Sequence, residues 1–135
     1  MAQPIPDLWP EIEESREVPP VAILREQAAL LGNKTNYLLQ GRVGSVALSS
    51  GRFYHSFFIV APALDGYEYK LFAIEHGPDQ YPVFADALEG TDPSKVSRLS
   101  LNSEEELLDY IRKILNSDKT KRILGSLLAQ VKATA

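Results

Sequence analysis

The sequence predicts an α+β fold: an N-terminal helix, a four- or five-stranded antiparallel β-meander, and two C-terminal helices packed on the sheet. Three observations carry that reading. Between Tyr37 and Leu88 the residues turn aromatic and β-branched in short runs, "YLLQGRVGSVAL", "RFYHSFFIVA", "YEYKLFAIE" and "YPVFADAL", the composition of strands. The runs are parted by "SSG", "LDG" and "HGPDQ", turn chemistry too short for the crossover that parallel strands require. On either side of this region apolar residues recur at helical spacing.

Taken in order, residues 1–18 read as an arm and 19–135 as a single α+β domain. Pro4, Pro6 and Pro10 keep the arm out of regular structure. Asp7, Glu11, Glu13, Glu14 and Glu17 stand there against Arg16 alone, a net −4 that equals the charge of the whole chain. The acidity therefore belongs to the arm, and the rest is neutral. Trp9, the sole tryptophan, sits in the arm beside Leu8.

"PPVAILREQAALLGN" predicts a helix from Pro20 to Leu31. Proline suits the first helical position, and Gly32 suits the left-handed residue after the last turn. Val21, Leu24, Ala28 and Leu31 form its apolar stripe. After the strands, "KVSRLSL" (Lys95 to Leu101) adds a fifth. "SEEELLDYIRKIL" then opens a helix on a Ser103–Glu106 capping box, with acidic residues at the positive end of its dipole. Continuing its stripe would place Asp118 and Arg122 on the apolar face. The stripe changes phase instead, to Ile123, Leu124, Leu127, Leu128 and Val131, so a second helix starts at "NSD" (Asn116 to Asp118).

"Asp65-Gly66" is a strong hairpin signal. As a two-residue turn it sets Phe57 opposite Ile74, Ile59 opposite Phe72, and His55 opposite His76. The register assigns Val46, Phe57, Ile59, Phe72, Ile74 and Val83 to one face. It assigns Leu39, Val43, Phe58, Val60, Leu71, Ala73 and Phe84 to the other. Both faces are apolar, so helices wrap both or a second subunit covers one.

Several functions are excluded by type. With no cysteine there is no disulfide framework, thiol nucleophile or thiolate metal site, which suits a reducing cytoplasm. The proline-broken acidic start is not a signal peptide, and no apolar run approaches the about 20 residues that span a bilayer. "KTKR" (Lys119 to Arg122) is too small a basic patch for nucleic acid. "GRVGSVALSSG" lacks the following helix of a phosphate loop, and Ser45, Ser49, Ser50 and Ser56 lack the strand–turn–helix setting of a nucleophile elbow. "NKT" (Asn33 to Thr35) matches a glycosylation acceptor but reads as a helix exit.

Two candidate sites remain. His55 and His76, the only histidines, would meet across the hairpin. Asp79 and the strand-end tyrosines Tyr54 and Tyr81 would be neighbours in a ligand-binding or acid–base site. Glu75 is excluded from it, because consecutive strand residues point to opposite faces. A metal would need a carboxylate in addition to the two imidazoles. The second site is the arm, with Trp9 and Leu8 as partner-binding residues. The expected function is a small cytoplasmic, non-catalytic protein that binds another protein or itself as a homodimer, with no cofactor or metal, nucleic acid or membrane. The alternative is a small enzyme or ligand-binding domain built on the His55–His76 pair.

Overall fold

A computed structural model describes residues 3–86 and 98–134. Its element order is α1 (Pro20–Lys34), β1 (Gln40–Ala47), β2 (Phe53–Ala61), β3 (Tyr67–His76), β4 (Val83–Asp86), β5 (Arg98–Leu101), α2 (Glu104–Leu115) and α3 (Asp118–Thr134). The five strands run antiparallel in the order β1-β2-β3-β4-β5, the meander that short links dictate. Ala87, Leu88 and Lys95–Ser97, expected to extend the last two strands, lie outside the described residues. Residues 3–19 form neither helix nor strand. Among the described residues no helix is long and apolar enough to cross a membrane.

The helix boundaries follow local chemistry. Pro20 starts α1 as expected, but the helix runs on to Lys34 and Gly32 lies inside it. Thr35 ends it instead. Its hydroxyl donates to the Leu31 carbonyl at 3.0 Å and accepts from Leu39 N–H at 3.1 Å, tying helix exit to strand entry. The left-handed residues are Asn36 and Tyr37, which delays β1 to Gln40. Ser103 caps α2, its Oγ accepting from Glu106 N–H at 3.2 Å. The Glu106 carboxylate reaches back to the N–H of Asn102, one residue earlier than the reciprocal capping box expects. Ser117 Oγ accepts from Thr120 N–H at 3.2 Å and starts α3, so the phase change in the apolar stripe marks a true break between helices.

All three helices pack on one sheet face. Ile23, Leu24, Leu107, Tyr110 and Ile111 meet Phe57, Phe72, Ile74 and Val83 in the larger core cluster. Leu127 and Val131 meet Leu39, Ile59 and Ala61 in the smaller one. The expectation that helices wrap both faces is corrected: the other face carries no helix among the described residues. Half-buried Phe58 and Phe84 lie there beneath guanidinium groups, Arg42 at 4.2 Å from the Phe58 centroid and Arg52 at 5.2 Å from the Phe84 centroid. Ion pairs lace the same surface: Arg42 to Glu68, and both Arg52 and Arg98 to Glu75. First Arg98, then Arg52, holds the Glu75 carboxyl below the usual carboxylate range. Long cationic side chains cover apolar surface while their charges stay in water.

The hairpin register differs from the expected one. The ladder closes at Ala61↔Tyr67, leaving a five-residue loop rather than two. Pro62 is the reason: it has no N–H to continue the ladder, and Leu64 N–H instead bonds back to the Ala61 carbonyl at 3.0 Å. Asp65 and Gly66 both adopt positive φ as their sequence favours. An odd-length loop reverses the faces. A bulge between Phe57 and Phe58 leaves Leu71 unpaired and reverses them again. Beyond the bulge Phe57 pairs with Phe72, His55 with Ile74 and Phe53 with His76, so His55 and His76 are diagonal neighbours rather than directly opposed. Val43 and Val46 also exchange faces. Val43 pairs with Phe57 and packs on the core, while Val46 is exposed.

Candidate functional site

His55 and His76 are both buried at the end of the core-facing side of the sheet. Strands β2 and β3 bring them together because diagonal partners in a twisted pair lie within reach of long side chains. Their Nε2 atoms stand 3.0 Å apart, with ring centroids 5.1 Å apart and planes tilted by 31°. The Phe53 ring closes the outer side of His76, centroid to centroid 5.4 Å.

The protons in this pair follow from the partners. His76 Nδ1 meets two carbonyls, Gly77 at 2.7 Å and Asp79 at 3.2 Å. A carbonyl only accepts, so His76 Nδ1 carries the hydrogen and its neutral ring leaves Nε2 bare. His55 must then donate through Nε2, which leaves its Nδ1 to accept from the Ser45 hydroxyl at 2.7 Å. The result is a directed chain: Ser45 hydroxyl to His55, His55 to His76, His76 to the Gly77 carbonyl. It accommodates one extra proton, since Ser45 can accept from a charged His55. A second would set two N–H groups face to face. Burial first, then the repulsion that a proton on His76 would exert and the charge of Arg25, push His55 from 6.5 down to about 4.

The other expected members are distributed elsewhere. Asp79 approaches through its backbone carbonyl, not its carboxylate. Tyr54 lies on the opposite face, where its hydroxyl accepts from Lys70. The Tyr81 hydroxyl donates to the Val18 carbonyl at 3.1 Å, and burial, then Glu104 and Glu17, push it up to about 12. Among the described residues no group of three histidine, cysteine or acidic side chains is placed to hold a metal. Ser45 is the member that sequence reading missed. Its signal was present in the pairing of β1 with β2, where Ser45 faces His55. Setting Val46 rather than Val43 on the core face had turned Ser45 away.

The arm forms the second candidate site. Val18 and Pro19 both precede a proline, which holds them extended, and Tyr81 anchors the Val18 carbonyl. Beyond that root Asp7 accepts from Trp9 N–H at 3.0 Å. Four large apolar side chains stand in solvent: Ile5 88%, Leu8 82%, Trp9 79% and Ile12 81% exposed.

Comparison with protein-family models, with curated proteins and with solved structures finds no match.

Proposed function

We propose that this protein is a non-catalytic binding module that works in the cytoplasm by docking its N-terminal arm onto a protein surface. The observation that carries the reading is the exposure of Ile5, Leu8, Trp9 and Ile12 on one short segment. Large apolar side chains scattered singly on a surface are ordinary, but a cluster of four on an extended arm marks an interaction element. Pro4, Pro6 and Pro10 reduce the entropy lost when the arm is held, and an indole supplies large contact area at small rotamer cost. In this reading the His55–His76 pair is structural. Each imidazole nitrogen has a partner, and the pair fastens β1, β2 and the β3–β4 turn.

Trp9 makes the test direct, because it is the only tryptophan. Docked to its partner it emits to the blue of free indole, and Trp9→Ala abolishes binding without lowering the melting temperature. Solvent-like emission that does not change on unfolding, with no associated species by light scattering, overturns the reading.

A further inference from the structure

The same chain carries an apolar-lined cleft beside two net-positive helices. Between α1 and α3 a cleft of about 290 Å³ opens down to the sheet. Phe57, Ile59 and Leu71 form its floor, and Leu30 with Leu124 stand on its walls. Lys34 is the charged residue of its lining, and Leu30 remains 39% exposed. The volume is at the lower end of ligand pockets and suits one aromatic side chain.

Charge matches as well. α1 carries Arg25 and Lys34 against Glu26, net +1, and α3 carries Lys119, Lys121, Arg122 and Lys132 against Asp118, net +3. The two helices that supply most of the lining are thus both net positive, opposite in sign to the −4 arm. α2 reaches the cleft only through its end at Leu115, next to Arg112 and Lys113, while its acidic Glu104, Glu105, Glu106 and Asp109 precede them in the helix. Complementary fields of this kind fix orientation and speed encounter.

We infer that the arm of one copy lies in the α1–α3 cleft of a second copy, with the Trp9 indole against Leu30, Leu71 and Leu124, the accessible apolar lining above Phe57 and Ile59. This rests on the arm being an interaction element and names its occupant and seat. The cleft lies along the C-terminal half of α1, whereas the arm joins at Pro20, the opposite end. Reaching its own cleft requires the chain to reverse just before α1. The extended, Tyr81-anchored root at Val18–Pro19 opposes that reversal. A twofold partner presents the cleft without it, and reciprocal exchange buries both arms at once.

The experiment uses the full chain in light scattering at tens of micromolar, with Trp9 emission read on the same samples. Dimer mass and blue-shifted emission are expected, with both lost in Leu30→Asp; Trp9→Ala is expected at monomer mass. Lys34→Glu, which leaves the apolar lining intact, should weaken the dimer about 3- to 10-fold, and less so at high salt. The decisive sample is a mixture: Trp9→Ala keeps an intact cleft and Leu30→Asp keeps an intact arm, so together they form one of the two arm–cleft contacts. Trp9 emission of Leu30→Asp then returns to the blue as Trp9→Ala is added in excess. A wild-type dimer with no such return of the blue shift at any excess overturns the exchange. Blue-shifted emission in a monomer places the arm in its own cleft and overturns the second copy. Association lost in Trp9→Ala but kept in both Leu30→Asp and Lys34→Glu overturns the cleft while leaving the arm as a binding element. A monomer with solvent-like Trp9 overturns both.

Discussion

A buried imidazole is stable in water-free surroundings only while it is neutral, and His55 illustrates the consequence. Its value near 4 lies below the 6.5 of the unfolded chain, so between those values the unfolded state holds a proton that the folded state refuses. Stability from this residue is complete above about pH 7 and is lost as pH falls through 6.5 toward 4, by about 3 kcal/mol at most. Urea midpoints should therefore drop between pH 7.5 and 4.5, and His55→Gln should flatten that slope. An NMR tautomer measurement at pH 7 should find hydrogen on His55 Nε2 and His76 Nδ1. The reverse assignment would break the directed chain from Ser45. Much of this was legible from two histidines and a hairpin signal, because strand periodicity puts residues of like parity on one face. The partner serine was not, since one residue of slip in β1 exchanges its faces.

At the scale of elements, the contact between α1 and β1 is set by a missing side chain. A Cβ on Gly41 would stand 2.4 Å from Ala28 Cα and 2.6 Å from Ala28 Cβ, so the helix rests directly on the strand backbone. Gly41→Ala must push α1 off the sheet and should cost at least about 1–3 kcal/mol in denaturant melting. Gly125 in α3 is the contrast. A Cβ there meets nothing within 4 Å, and Gly125→Ala should stabilise by roughly 0.5–1 kcal/mol through helix propensity alone. Equal effects at the two positions would remove the close approach as the reason for Gly41. The Leu71 bulge acts at the same scale. It corrects the face reversal caused by the Pro62 loop, and Leu71 packs against both core clusters.

For the whole molecule, the uneven dressing of the two sheet faces is the main consequence of the fold. One face receives three helices; the other receives arginines and glutamates over Phe58 and Phe84. Exposed pairs such as Arg42–Glu68 are screened by water and add little to stability, so their purpose is coverage more than stability. Replacing Arg42 and Arg98 with alanine should leave the denaturation midpoint nearly unchanged. It should nevertheless raise binding of a hydrophobic dye and speed aggregation, because the aromatic rings lose their cover. An unchanged dye signal would mean that the guanidinium groups do not shield that face.

The sequence by itself determined the element order, the α2–α3 break, the antiparallel meander and the segregation of acidity into the arm. Each of these is a local property: periodicity, capping chemistry, short links and charge count are all decided within a few residues. Only the tertiary structure decided which side of the sheet the helices take, the final hairpin register, and the place of Ser45 beside His55. Those depend on parity along paired strands, where one proline at position 62 and one bulge at Leu71 each reverse every face downstream. Two such reversals cancel, which is why the histidine pair survived a wrong register. Odd-numbered shifts leave no mark on composition or periodicity, so they appear only once the chain is folded.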